Sequence, residues 1–231
     1  VDEGLVSCIV PVRDGARFLD ETLQSIYAQT YRPLEIIVVD DGSADGTPSV
    51  IAAQGARVSS LRQAPRGQAA ARNAGVTAAR GTWLAFLDAD DLWEPDKIAR
   101  QVAHVRAAPE IDLCFTRFRN FWEPELEAEA GRYRGHAVAE VSAAWSVCTL
   151  LASRHAFHRF GLFDEALRWP NLPWFLHAAG RGARIEVLGE VLARRRLHRG
   201  NATRAELDAG LDPLFPLLRA WRDARRRTEA R

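Results

Sequence analysis

Three runs in this chain are apolar almost without interruption: Leu5–Val12 (LVSCIVPV), Leu34–Val39 (LEIIVV) and Trp83–Leu87 (WLAFL). A strand with one wet face alternates apolar and polar residues. A strand that does not alternate is buried on both faces, as in a parallel sheet covered by helices. The segments between these runs have helical spacing. Phe18–Tyr27 carries apolar residues at 18, 19, 23, 26 and 27. Thr47–Ala53 has the pattern of a second helix, alanine-rich Gln68–Ala79 of a third, and Pro95–Ala107, with proline in its first turn, of a fourth. Ala56–Leu61 is expected as a short third strand. Pro11 is expected to end the first strand and Gly81 to stop the third helix. Strand and helix thus alternate four times, which defines an α/β fold with a doubly wound parallel sheet and right-handed crossovers. Such sheets bind ligands outside the carboxyl ends of their strands.

Three acids crowd the end of the fourth strand, in Trp83–Asp91 (WLAFLDADD). Asp88, Asp90 and Asp91 should repel one another there. A divalent cation would relieve that repulsion, since hard oxygen ligands suit Mg²⁺ or Mn²⁺. Asp90 or Asp91 could instead cap the helix that begins near Pro95. Arg13-Asp14 after the first strand and Asp40-Asp41-Gly42-Ser43 after the second are expected on the same rim, which strengthens the ligand reading for Asp88 and Asp90.

Composition narrows the class. The 231 residues fit one large domain, or one with a lobe, and 47% of them are hydrophobic. A formal charge of +1 gives no reason to expect nucleic-acid binding. Lys97 is the only lysine among many arginines, which reads as a coding preference. Cys8, Cys114 and Cys148 are odd in number and far apart, as expected of reduced core thiols rather than a disulfide frame or zinc site. With no apolar run of membrane-spanning length and no signal-peptide pattern at its start, the chain is expected to be cytoplasmic.

After residue 110 the alternation is lost. Ile111–Phe118 reads as a strand, Glu123–Glu129 as an acidic loop, and Val138–Ser153 as mixed and apolar. Pro170 and Pro173 argue against helix interior over Trp169–Pro173. Trp174–Ala179 reads as a helix and Ala183–Leu192 as one strand or a hairpin. Trp122, Trp145, Trp169 and Trp174 are either core residues or platforms for sugar stacking. Leu207–Arg227 reads as a final helix with a basic end, including Arg219, Arg222, Arg225, Arg226 and Arg227. It is either a solvated helix whose cations suit the dipole, or a peripheral contact for an anionic membrane or partner. The division expected is residues 1–110 as one half, 111–202 as the other half of the same domain, and 203–231 as the basic helix.

Four motifs in order, Val6–Asp14 (VSCIVPVRD), Val38–Ser43 (VVDDGS), Gly67–Gly75 (GQAAARNAG) and Phe86–Asp91 (FLDADD), resemble the inverting family 2 glycosyltransferases of the GT-A fold. Leu150–Glu165 and Arg196–Asn201 (RLHRGN) continue the likeness more weakly. The resemblance implies a Rossmann-like, mostly parallel sheet with a smaller acceptor-side region. It also implies a nucleotide-sugar donor, usually a uridine diphosphate sugar, and a divalent Mn²⁺ or Mg²⁺ ion. Pro11, Val12, Arg13 and Asp14 match the loop around base and ribose. Asp41 matches the acid that bonds the uracil edge, although it could equally turn the chain with Gly42. Gly67, Arg72 and Asn73 match the segment beside the nucleotide. Asp88 and Ala89 match the ribose side of the DxD motif, Asp88 and Asp90 its metal side. His198 matches a histidine that can complete the metal shell. The acceptor, whether glycan, lipid, peptide or small molecule, is not implied.

The likeness fails at one position. The family takes its base from an acidic pair some eight residues beyond a Phe-Asp-Glu segment, here Phe163-Asp164-Glu165. Asn171 stands in that place, and no acid occurs between Glu165 and Glu186. An amide cannot accept a proton near neutral pH, and a positioned base is typically worth about 10²–10⁴ in rate. Three expectations follow. The chain is a glycosyltransferase with a relocated base, drawn from Asp164, Glu165, Asp91 or His177. Or it binds donor without turnover, as a partner or regulatory subunit. Or it serves another nucleotide reaction, such as nucleotidyl transfer.

Overall fold

A computed structural model describes residues 2–131, 141–142 and 145–201. The basic helix expected over Leu207–Arg227 lies outside the described residues. Within them the chain order is β1 (Asp2–Val12), α1 (Leu19–Tyr27), β2 (Leu34–Asp40), α2 (Thr47–Ala53), β3 (Ser59–Arg62), α3 (Gln68–Ala78) and β4 (Gly81–Phe86). Then come β5 (Leu92–Trp93), α4 (Lys97–Ala107), β6 (Leu113–Trp122), α5 (Glu127–Ala130), β7 (Val141–Ser142) and β8 (Leu151–Ser153). The last are α6 (Arg154–Phe160), α7 (Asn171–Gly180) and β9 (Ile185–Leu197). The strands form one sheet in the order β3-β2-β1-β4-β8-β6-β9-β5, with β7 on β6. Strands β3, β2, β1 and β4 are parallel. Short β8 runs antiparallel between β4 and β6, and β9 runs parallel to β6.

The unbroken apolar runs have a direct cause. On β1, Val6, Cys8, Val10 and Val12 face a layer that includes Leu19, Leu23 and Ile26 of α1, Ile51 of α2, and Ile98, Val102 and Val105 of α4. Ile9 faces the opposite layer, with Ala69, Ala71 and Val76 of α3, Phe157 of α6 and Phe175 of α7. Strand β2 divides in the same way, Ile36 and Val38 against Ile37 and Val39. Both faces are covered, so period-two alternation has nothing to select.

Three local expectations are corrected. Pro11 does not end β1, which continues to Val12. The Ile9 carbonyl accepts from the Leu87 amide on the β4 side, and the Val12 carbonyl accepts from Asp41 on the β2 side. Alternation therefore aims the Pro11 nitrogen at β4, beyond that strand's end at Phe86, where no donor is needed. Gly81 does not stop a helix; α3 closes at Ala79 in extended backbone. Gly81 instead opens β4, pressed against β1, where an added Cβ would lie 2.5 Å from the Leu5 carbonyl oxygen and 2.8 Å from the Ser7 nitrogen. Gly81→Ala is expected to cost about 1–3 kcal/mol, the usual range for overpacking, because backbone cannot step aside; an unchanged urea midpoint would contradict this. Helix α7 starts at Asn171 rather than Trp174; Pro173 is its third residue, in the first turn and outside the helix interior, where no intrahelical amide bond is lost. Of the two alternatives for Ala183–Leu192, the single strand holds, with β9 extending to Leu197.

All three cysteines are free and buried. Separated in sequence, they lie near enough to Lys97 to act on its charge. Lys97 is fully buried, donates to Gln101 Oε1 at 2.8 Å and sits 4.3 Å from the Trp93 ring centroid. Burial pushes its pKa down to about 8. Burial also pushes the Cys8 thiol up to about 12 and Cys114 up to about 11. These thiols are core fillers, as expected.

Candidate functional site

Strand order reverses between β1 and β4, since the chain builds β2 and β3 on one side of β1 and then β4 on the other. At the carboxyl ends of these strands lies a cleft of about 860 Å³. Pro11, Val12, Arg13 and Asp14 line it from β1, Asp41 from β2, Gly67 from the start of α3, and Asp88, Ala89, Asp90 and Asp91 from β4. Asn171 and His198 close it from the second half of the chain.

The loops are locked to one another. Asp14 adopts a left-handed backbone (φ 51°), which aspartate tolerates better than most residues. Its amide donates to Ser43 Oγ and its Oδ1 accepts from the Ala44 amide, so it ties the loop after β1 to the loop after β2. Asp40, not Asp41, turns the second loop, with its Oδ1 accepting from the Ser43 amide at 2.8 Å. Asp41 is 3% exposed. Its Oδ1 accepts from Gln63 Nε2 and the Arg66 amide, and its Oδ2 from the Gly67 amide. These three bonds shape the Gln63–Gly67 loop, and Oδ2, with a single donor, keeps a lone pair for a further one.

Neither Asp90 nor Asp91 caps α4, whose N-cap is Asp96. Asp90 Oδ2 lies 3.0 Å from His198 Nε2 and 3.1 Å from Asn201 Nδ2. Asp91 is buried, and its Oδ1 accepts from the Arg196 amide. Burial, then the charges of Asp90 and Asp88, holds the Asp91 carboxyl well above the usual range. Asp88 Oδ1 accepts from Arg72 at 2.6 Å and from Gln68 at 3.2 Å. Among the described residues, no three His, Cys, Asp or Glu side chains converge as a closed metal cage.

Arg72 and Asn73 stand behind the cleft rather than on it. Arg72 is fully buried and reaches two residues at once, Asp88 through one terminal nitrogen and Asn171 Oδ1 through the other at 2.7 Å. Asn73 exchanges two hydrogen bonds with the Phe163 backbone and donates to Glu165. The candidate bases fare unequally. Glu165 is engaged by Arg66 at 2.7 Å, Asp164 accepts from the Ala166 amide in its own turn, and His177 is exposed on the last turn of α7. None of these three lines the cleft. Asp91 does, although it is buried. Trp145 and Trp169 line the cleft as well, whereas Trp174 belongs to the core, stacked on Phe157 with centroids 4.7 Å apart.

Sequence reasoning missed Arg196 and Asn201. Arg196 is 4% exposed and lies between the Phe18 and Phe121 rings, 4.7 and 4.6 Å from their centroids. Its Nε donates to the Asp90 carbonyl, and its terminal nitrogens pair with Glu123 and Glu21, both at 2.5 Å. Asn201 bonds Asp90, the Arg196 carbonyl and the His198 amide. Both residues sit in RLHRGN beside His198, and an Arg and an Asn flanking a candidate ligand were the available signal.

This architecture, a mixed sheet whose β3-β2-β1-β4 half is parallel and carries an acid-rich cleft at its switch point, is that of nucleotide-binding α/β proteins. The model for glycosyl transferase family 2 matches residues 7–192, and the chain belongs to that family. It is 28% identical over 214 residues to the protein named "Uncharacterized glycosyltransferase RP339" of Rickettsia prowazekii, covering 88% of this chain and 67% of that one. Among solved structures, Staphylococcus aureus TarS 1–349 in complex with UDP-GlcNAc superposes with a TM-score of 0.71 at 17% identity, over 87% of this chain and 60% of that one. A mannosyltransferase from Pyrobaculum calidifontis, PcManGT, in complex with GDP-Man and Mn²⁺, gives 0.67 at 24%, over 88% and 60%. The fold is the GT-A fold, and the chain spans about three-fifths of either structure.

Proposed function

We propose that this protein transfers a sugar from a nucleoside-diphosphate sugar, with UDP as the carrier, to an acceptor, inverting the anomeric centre with the help of Mn²⁺ or Mg²⁺. The observation that carries the reading is Asp88-Ala89-Asp90 at the end of β4, on the switch-point cleft of a family 2 chain. Donor complexes of two proteins of the same fold, one with UDP-GlcNAc and one with GDP-Man and Mn²⁺, support it.

The residues suit an ion shared with a diphosphate. Mg²⁺ and Mn²⁺ sites use few carboxylates and complete the shell from substrate phosphates and water. Adjacent ligands of an octahedral ion at about 2.1 Å stand about 3.0 Å apart. Asp90 Oδ2 and His198 Nε2 have that separation. A bound ion would stabilise the charge that grows on the departing diphosphate without moving a proton. Pro11, Val12, Arg13, Asp14 and Gly67 would enclose the nucleoside. Arg72 and Asn73 act as positioning residues, the first holding Asp88, the second holding the Phe163–Glu165 turn.

The test is calorimetric titration of UDP with and without Mn²⁺, followed by assay of nucleotide release from UDP-sugars. Metal-dependent binding is expected. Its absence would falsify the reading, while binding without release in the presence of any acceptor would make the chain a donor-binding partner. Among the described residues, no helix is long and apolar enough to cross a membrane.

A further inference from the structure

Polar side chains at helical spacing tie α1 to the segment that follows β4. Thr22 and Ser25 lie in α1, and Gln29 lies just past its end. Thr22 is fully buried, Gln29 is buried and Ser25 is half-buried. The Thr22 hydroxyl donates one proton, shared between the Ala89 carbonyl at 2.9 Å and the Asp91 carbonyl at 3.0 Å. Ser25 Oγ accepts from the Trp93 amide at 3.2 Å. Gln29 Nε2 donates to the Glu94 carbonyl at 2.8 Å, and its Oε1 accepts from the Ile98 amide at 3.0 Å. The contacts run in register, from Thr22 on the acid turn to Gln29 on the start of α4.

Thr22 differs from the other two in what it holds. Ala89 and Asp91 flank Asp90, whose own carbonyl accepts from Arg196 Nε at 2.9 Å. Three successive carbonyls of the acid turn are therefore held by protein donors, two of them by one hydroxyl. The Asp91 amide closes the turn on the Asp88 carbonyl at 3.0 Å. Held in this way, the turn leaves the half-buried Asp88 and Asp90 on the cleft. Their like charges repel, and a loop free to move would relieve the repulsion by separating them. A clamp on the backbone opposes that, so a cation meets oxygens that are already together, and ligands held by a supporting shell bind with less reorganisation. Thr22 itself does not line the cleft.

We infer that Thr22 is a positioning residue for the metal site: its hydroxyl, touching neither ion nor nucleotide, sets the backbone from which Asp88 and Asp90 reach the ion. The inference rests on the glycosyltransferase reading above. It gives the hydroxyl a role that packing alone would not. Valine has nearly the shape of threonine and lacks the donor, and a buried acceptor deprived of its donor drives the chain to seek another. Serine keeps the donor and loses only a methyl group.

The test is a set of calorimetric UDP titrations at stepped Mn²⁺ concentrations, on wild type, Thr22→Val, Thr22→Ser and Ser25→Ala. Binding that does not depend on Mn²⁺ in wild type overturns the parent reading, and this one with it. With that dependence in hand, Thr22→Val should need at least about 10-fold more Mn²⁺ for half-maximal UDP binding, the low end of the usual effect of groups that support metal ligands. At saturating Mn²⁺ its UDP affinity should return to the wild-type value, because the nucleoside contacts are untouched. Thr22→Ser should follow wild type. Ser25→Ala loosens the same helix at Trp93, outside the acid turn, and should also follow wild type. Thermal unfolding shows whether Thr22→Val is folded; Thr22→Ala, which removes the same hydroxyl with less bulk, takes its place if it is not. A Thr22→Val curve that overlays wild type overturns the inference. So does a loss of UDP affinity that no Mn²⁺ concentration restores, or a shift in Thr22→Ser or Ser25→Ala as large as that in Thr22→Val.

Discussion

Asp90→Ala is expected to abolish metal-dependent nucleotide binding and to lower the transfer rate about 10³-fold, with little change in folding stability. The size follows from the role proposed for the ion. Stabilising a departing diphosphate is worth several kcal/mol, and each 1.36 kcal/mol is about tenfold in rate. The small structural effect follows from the surroundings. The Asp90 side chain is 30% exposed, His198 stays packed on the Phe18 ring with centroids 4.6 Å apart, and Asn201 keeps its bonds to the Arg196 carbonyl and the His198 amide. The carbonyl that anchors the loop to Arg196 belongs to the backbone and survives the substitution. Calorimetry with UDP, with and without Mn²⁺, reads the first effect and thermal unfolding the second. Unchanged UDP affinity in the presence of Mn²⁺ would refute the metal role assigned to Asp90.

The first half of the fold was legible because its rule is local. Apolar runs, helical spacing and punctuation predicted α2 at Thr47–Ala53 without error and placed α1 and α3 to within a residue of their ends. The rest depends on contacts that no local pattern records. Strand β9 mixes exposed, half-buried and buried residues without period-two alternation, and is a strand because β6 lies alongside it. Gly81 looks like a helix stop until β1 is seen against it. The site divides in the same way. Its acids were legible as a run of like charge at a strand end. What holds them was not, because Arg72 meets Asn171 across 99 residues and Arg196 meets Glu21 across 175. Counting back from Gly182 led to Asn171, which does line the cleft. It could not reveal that the amide oxygen was already taken.

Arg72 provides the sharpest test of how the site is supported, because the two members of its ion pair with Asp88 differ in exposure. The guanidinium is fully buried, whereas the Asp88 side chain is 28% exposed. Removing one partner of a buried pair usually costs about 3–5 kcal/mol, since the other charge is left buried without compensation, while replacing charge by apolar bulk can be close to neutral. Asp88→Ala leaves the buried cation with only the neutral Asn171 oxygen, so it should fall toward the lower end of that range, the pair being partly wet. Arg72→Leu leaves a carboxylate that can turn to solvent and puts apolar bulk at a fully buried position. Its stability should be much closer to wild type. Both variants should lose activity, since each breaks the tie between α3 and the loop after β4. Urea unfolding of the two single variants and the double variant separates the terms. The double variant is expected to be more stable than Asp88→Ala alone, because the uncompensated cation is gone. If Arg72→Leu proves the more damaging of the two, the guanidinium is held mainly by packing and by Asn171, and the charge argument for Asp88 fails.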